Sequence, residues 1–189
     1  MKIERRPATI LYPVPVVLVT SIDQDGKPNI ITIAWAGTVC SQPPMVGIAI
    51  RPSRYSHELI SRSRELVVNI PTAEQLSKVD YCGMVSGREV DKFQVTGFTP
   101  LPASRVKPPL IKECPVNMEC AVRHILPLGA HDLFVAEVLV NHVDDEVLDE
   151  KGRVNPNLAK PLAYNGHQKY WTVGEEVGTY GLSQGKLTT

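Results

Sequence analysis

The sequence has no run of about 18 apolar residues, the minimum for a membrane-spanning helix, so a bilayer span is not expected. It has no surplus charge of one sign. Lys and Arg total 20, Asp and Glu total 20, and no block of like charge stands out. A basic face for nucleic acid or an anionic membrane is therefore not expected either. Lys2, Arg5 and Arg6 are followed by Pro7 and a polar-interrupted segment, not by the apolar stretch of a secretion signal. The expectation is a cytoplasmic protein. Cys40, Cys82, Cys114 and Cys120 form no Cys-x-x-Cys pair, and no histidine pair has zinc-finger spacing. The thiols read as free and mostly buried, in a reducing compartment, and no metal site is expected.

Catalytic signatures are scarce as well. There is no Gly-x-Gly-x-x-Gly and no Gly-x-x-x-x-Gly-Lys-Ser/Thr, so neither a Rossmann dinucleotide site nor a P-loop can be argued. No His-Glu-x-x-His pair appears. The five histidines are scattered, and His57 and His142 read as structural residues. Asp144-Asp145 reads as a solvated connection.

What the chain does have is punctuation. Sixteen prolines and 13 glycines separate short apolar runs, which favours many strands and turns over a helix bundle. Val14 to Ile22 is β-branched and reads as a strand, with Pro13 and Pro15 confining its start to an edge. An Asp25-Gly26 turn leads to a partner strand, Ile30 to Trp35. Met45–Ile50, Leu66–Ile70, Val116–Leu126 and Leu133–Val143 are further strands. Ser53 or Ser56 is placed to cap a helix over about 57–63, and Thr72 one over about 73–82. Ser86-Gly87-Arg88 reads as a polar turn into a short helix, and 99–109 as an irregular covering loop. The fold class expected is mainly β: an antiparallel split β-barrel with a few short helices, in one domain over 1–189. Residues 150–189 are expected to be an extended segment lying on the barrel or on a dimer partner.

One stretch concentrates the chemistry. Asn29 to Ser56 runs from a strand through Trp35 and a small-residue segment, breaks at Pro43-Pro44, and ends in a basic, hydroxyl-rich turn. Arg54 and Ser56, with Arg51 near them, form one polar cluster. Ser86-Gly87-Arg88 with Lys92 forms a second, and the turn at Gly129–Asp132, carrying His131, forms a third. Guanidinium, ammonium and hydroxyl groups near helix starts suit a phosphate monoester. The competing reading is solvated charge at helix ends, and for Trp35 a place in the core.

These residues carry a resemblance to a known family. Pro15 to Ser21, Asp25-Gly26-Lys27-Pro28-Asn29, Ala34 to Pro44 and Arg54 to Ile60 match it in order and spacing. So do Val67 to Pro71, Cys82-Gly83, Ser86-Gly87-Arg88, Asp91-Lys92-Phe93, Leu128 to His131, Ala136-Glu137-Val138, and Tyr164 ahead of Tyr170-Trp171. The chain resembles the flavin reductase-like family of the FMN-binding split barrel, especially its flavoredoxin branch, over about residues 8 to 172.

The resemblance implies FMN at a homodimer interface. It implies that Asn29, Trp35 and the backbone of Ala36, Gly37, Thr38, Val39, Cys40 and Ser41 face the isoalloxazine and ribityl chain. Arg54, Ser56 and Lys92 would hold the phosphate, with Ser86 beside them, and His131 and Tyr164 would close the pocket. Ser56 stands where Thr is frequent, keeping the hydroxyl, and Ala130 stands where an acidic residue is frequent. No side chain is expected to act as a catalytic acid or base, because the flavin carries the redox chemistry. Three readings stay open: an oxidoreductase reducing flavin with NADH or NADPH, an electron carrier serving a protein partner, and a non-catalytic flavin-binding barrel. FAD is an alternative to FMN.

Overall fold

The computed structural model describes residues 1–165 and 168–184. In chain order the first half runs β1 (Val14–Pro15), β2 (Val17–Ile22), β3 (Pro28–Ile33), β4 (Ala36–Ser41), β5 (Pro44–Ile50), α1 (Tyr55–Ser63), β6 (Glu65–Ile70), α2 (Leu76–Met84) and α3 (Lys92–Thr96). The second half runs β7 (Pro100–Leu101), β8 (Leu110–Ile111), β9 (Val116–Pro127), β10 (Asp132–Val143), α4 (Pro156–Ala159), β11 (Leu162–Asn165) and β12 (Lys169–Thr172). Among the described residues, no helix is long and apolar enough to cross a membrane.

Seven strands form one antiparallel sheet in the order β3-β2-β6-β9-β10-β5-β4. It is not closed: β3 and β4 are its two edges, which is the split of the barrel. Alternate residues of the strands point inward, as the period-2 pattern requires. Val17, Val19, Ile31, Ile33, Ile48, Ile50, Leu66, Val68, Cys120 and Phe134 meet Ile60 of α1 there. Each fully buried side chain of this kind contributes roughly 1.5–3 kcal/mol by leaving water. The opposite face of β2 and β3 carries a second core, in which Leu18 and Ile30 meet Val79 and Cys82 of α2, Phe93 of α3, and Leu162.

The structure corrects several local expectations. The strand expected to reach Trp35 stops at Ile33, and Ala34-Trp35 is a bend between β3 and β4. Ala36–Ser41 is itself a strand, paired with β5 across the proline turn. Neither Ser53 nor Ser56 caps α1. Its N-cap is Arg54, and Ser56 lies buried in the first turn because its hydroxyl is engaged by β3. The helix after Thr72 opens with a 3-10 turn, Ala73–Gln75, before α2, and Leu76 is partly exposed while Val79 is fully buried. The short helix after Ser86 begins only at Lys92, with Asp91 Oδ1 accepting from Gln94 N at 3.1 Å, so Arg88 is not at a helix start. Part of the covering loop is ordered as a two-stranded ribbon, β7 with β8. The C-terminal region, expected as an extended segment, contains β11 and β12, and β11 pairs with β1.

Candidate functional site

The sheet's open side frames a cavity of about 610 Å³, within the range of small-molecule sites. Ile31, Ile33, Ala34 and Trp35 form one wall, and Ala49, Ile50 and Arg51 at the end of β5 form the next. Arg54, Asp80, Gly83, Met84, His131, Tyr164 and Tyr170 complete most of the rim. The bend that carries Trp35 is held by Ala49 N donating to the Trp35 carbonyl at 2.9 Å. That bond fixes the half-buried indole beside β5. Helix α2 comes close to β3 because Gly83 has no side chain: a Cβ there would lie 3.3 Å from Thr32 Cβ. Thr32 Oγ1 donates to the Val79 carbonyl at 2.5 Å and fastens the same contact.

Strand register places the two groups opposite Trp35. Asp132 of β10 pairs with Ile50 of β5, so His131 and Arg51 meet just beyond the end of that ladder. Arg51 Nε donates to His131 Nε2 at 3.4 Å. Burial lowers the His131 pKa and the Arg51 charge lowers it further, so the ring is neutral near pH 7. Tyr164 is fixed from both sides, against Val14 of β1 and Tyr170 of β12, with the two tyrosine rings 5.4 Å apart and edge-on. Tyr170 OH donates to Asp80 Oδ1 at 2.9 Å, tying the hairpin to α2.

Of the residues expected at the site, Trp35, Arg54, His131 and Tyr164 line the cavity together. Asn29 and Ser56 lie buried off the wall, joined by Asn29 Nδ2 donating to Ser56 Oγ at 2.8 Å. Ser86 is also off the wall, its hydroxyl accepting from Arg88 N at 3.2 Å. The structure does not bring the Ala36–Ser41 segment to the cavity. One side of its backbone is paired with β5, and Gly37, Thr38, Val39 and Ser41 are exposed at the sheet edge. Arg88, from the second basic cluster, is used elsewhere: it pairs with Glu58 at 2.6 Å and lies over the Tyr55 ring.

Lys92 also departs from the expected geometry. It is 4% exposed, and Nζ donates to the carbonyls of Ile30 and Cys82, each at 2.7 Å. Among the described residues no carboxylate forms an ion pair with it. Burial pushes its pKa down to about 8, the Cys82 thiol partly offsets this, and Arg54 adds to it. Two of its three N–H donors are spent, leaving one.

Sequence reasoning gave no site role to Asp80 or Tyr170, and named Arg51 only as a neighbour of Arg54 and Ser56. Arg51 was visible as a cation at a strand end, but its contact with His131 depends on pairing between residues 80 apart. Asp80 carried no motif, and Tyr170 entered only as part of the family likeness.

The donor set fits a phosphorylated aromatic ligand. Aliphatic and aromatic walls suit a flat ring, and Arg51, Arg54 and the open N–H groups at the start of α1 suit an anion. Ser21 Oγ and Asn29 Oδ1, cross-strand neighbours in β2 and β3, are buried polar atoms without a protein partner. They leave unspent hydrogen-bonding capacity.

Residues 9–172 match the model of the flavin reductase like domain. The chain belongs to this family. The flavoredoxin of Desulfovibrio vulgaris (Miyazaki F) is 32% identical, with a TM-score of 0.91 over 98% of this chain and 100% of that one. Flavoredoxin from Methanosarcina acetivorans is 31% identical, with a TM-score of 0.91 over 99% and 100%. The FMN-binding protein from Thermus thermophilus is 27% identical, with a TM-score of 0.82 over 95% and 99%. The chain thus falls in the flavoredoxin branch, and its fold is the split barrel.

Proposed function

We propose that this protein binds FMN in the cavity beside Trp35 and works as a flavin-dependent oxidoreductase, with NADH or NADPH as electron donor. The observation that carries the reading is one cavity uniting an aromatic and aliphatic wall with Arg51 and Arg54 at the start of α1. When bound, FMN supplies the two-electron chemistry, and the chain supplies position and electrostatics. Trp35, Ile33 and Ile50 exclude water from the ring face. Arg54 and the α1 N–H groups hold the phosphate, and the remaining Lys92 donor adds charge behind it. Neutral His131 offers a hydrogen bond to the ring edge, and Tyr164 closes the opposite rim.

We further propose that two copies assemble about the exposed edge strand β4, so that its backbone reaches the flavin of the dimer. An unpaired, partly apolar edge is a surface that proteins rarely leave uncovered. The proposed setting is the cytoplasm, and the proposed unit is one domain with 150–189 applied to the barrel.

The deciding experiment is the visible spectrum of the purified protein, followed by anaerobic titration with NADH and NADPH. Yellow protein bleached by either nucleotide supports the oxidoreductase. A second reading, an electron carrier that serves a protein partner, is favoured by the near full-length likeness to two flavoredoxins. It predicts tightly held FMN that neither nucleotide reduces at a useful rate. Colourless protein that takes up no FMN would overturn both.

A further inference from the structure

We propose that Arg51 is a positioning residue that fixes His131 as a single N–H donor, through Nδ1, to the ligand of the cavity. A guanidinium has only N–H donors and no acceptor. The imidazole nitrogen it faces must therefore carry a lone pair. That nitrogen is Nε2, which accepts from Arg51 Nε at 3.4 Å. A neutral imidazole has one proton, so the proton is on Nδ1.

The surroundings enforce the same choice. A carboxylate facing Nε2 would reverse the tautomer by accepting a hydrogen bond from an Nε2–H. The nearest candidate along the chain is Asp132, and its Oδ2 is already engaged by His57 Nε2 at 2.7 Å. Burial and the Arg51 charge both disfavour a second proton on His131. The strand register makes the arrangement stiff: Asp132 pairs with Ile50, and Leu128 N donates to the His131 carbonyl at 3.0 Å, so neither backbone can drift.

The chemical consequence is selective. His131 presents one donor and no acceptor to the cavity, so it recognises a carbonyl oxygen or an anionic ring nitrogen and rejects a ligand N–H. That the ligand is a flavin, with carbonyl groups on its ring edge, rests on the functional reading above. The tautomer does not.

The test is long-range proton–nitrogen NMR on ligand-free protein with nitrogen-labelled histidine. The expected result near neutral pH is the Nδ1–H pattern for His131. Arg51→Lys, which keeps a donor-only group, retains it. Arg51→Ala shifts the ring toward the Nε2–H form and raises its titration midpoint. An Nε2–H pattern in the unaltered protein overturns the proposal, as does an unchanged pattern in Arg51→Ala. The folding of each variant is read from the same spectra through the His57 and His142 signals, whose carboxylate partners are untouched. Adding FMN to the same samples separates the two claims. FMN that perturbs the His131 Nδ1–H signal supports both. If FMN does not bind while the tautomer is as expected, the flavin reading falls and the Arg51–His131 assignment stands.

Discussion

Asn29 and Ser56, 27 residues apart, are joined by a 2.8 Å hydrogen bond that ties β3 to the first turn of α1. Gly87 makes room for it. A Cβ on Gly87 would lie 1.9 Å from Asn29 Oδ1 and 2.8 Å from Asn29 Cγ. Gly87→Ala is therefore expected to push the carboxamide away and release Ser56. The loss expected from overpacking at such a site is about 1–3 kcal/mol, read by chemical denaturation. In an Asn29→Ala background the same substitution should cost much less, because the colliding group is gone. An equal loss in both backgrounds would show that Gly87 acts through something else.

Lys92 gives a prediction about pH. Its folded pKa, about 8, lies below the ordinary 10.5, so the unfolded chain holds the proton more tightly. The charged, buried ammonium penalises the fold fully below pH 8, and the penalty is relieved as pH rises from about 8 to 10.5. Lys92→Met removes this dependence but leaves the Ile30 and Cys82 carbonyls without their donor. The variant is expected to be less stable at neutral pH by about 1–3 kcal/mol, the cost of unpaired buried acceptors. The gap to the unaltered protein should widen on going from pH 8 toward 10.5. Denaturant titrations of both proteins across that window check the sign; a gap that narrows would place the titration elsewhere. FMN phosphate, by adding negative charge near Arg54, should favour the charged form of Lys92.

Glu119 of β9 is fully buried and holds the covering loop. It accepts from Ser104 N and Oγ, from Arg105 N and Val106 N, and from His142 Nε2 at 2.6 Å. Burial alone would raise its pKa, but the Ser104, His142 and Arg105 hydrogen bonds outweigh it and bring the value down to about 2. Since the folded pKa is depressed from 4.5, the stabilisation is complete above that value and is lost as pH falls toward 2. Glu119→Gln is expected to cost about 1.5–3 kcal/mol at neutral pH, on the scale of a charged hydrogen bond. The difference from the unaltered protein should shrink in acid below the ordinary carboxylate range. A difference that stays constant with pH would mean the carboxylate charge is not what holds residues 104–106.

The β-branched runs around Val17, Ile31, Ile48 and Val68 announced the sheet, because each needs only its own period of two and a covered face. Trp35, Arg54, His131 and Tyr164 came through the family likeness and do meet at one cavity. Asn117 and Glu119 fall within the expected strand Val116–Leu126 as polar residues between apolar ones. Both are buried, because β9 is central and loop 99–109 covers its second face. A strand's own pattern cannot reveal that its polar side will be roofed. Lys92 was legible as a cation near a short helix. Its aim at two carbonyls was not, since that depends on how α2 and α3 seat on β3. The Arg51–His131 contact was hidden for the same reason: it is a property of register between β5 and β10.

The Tyr170–Asp80 bond ties the C-terminal hairpin to α2. Hairpin β11–β12 covers one side of the cavity and reaches the helical layer through this 2.9 Å contact. Burial and then Asp80 raise the Tyr170 pKa above its ordinary value, so the phenol remains a donor at neutral pH. Tyr170→Phe keeps the ring edge-on to Tyr164 and removes only the hydroxyl. Stability should fall by about 0.5–1.5 kcal/mol, the usual net worth of one hydrogen bond. The larger effect is local: backbone amides of Lys169–Thr172 should exchange faster, since among the described residues β12 pairs with β11 alone. If the hairpin bounds a flavin site, FMN should dissociate from the variant several-fold faster with little change in its association rate, because a cover that opens more often acts on escape. Asp80→Asn, which keeps a weaker acceptor, should fall between the two proteins. Unchanged amide exchange would show that β1 and the Tyr164 contact hold the hairpin without help from α2.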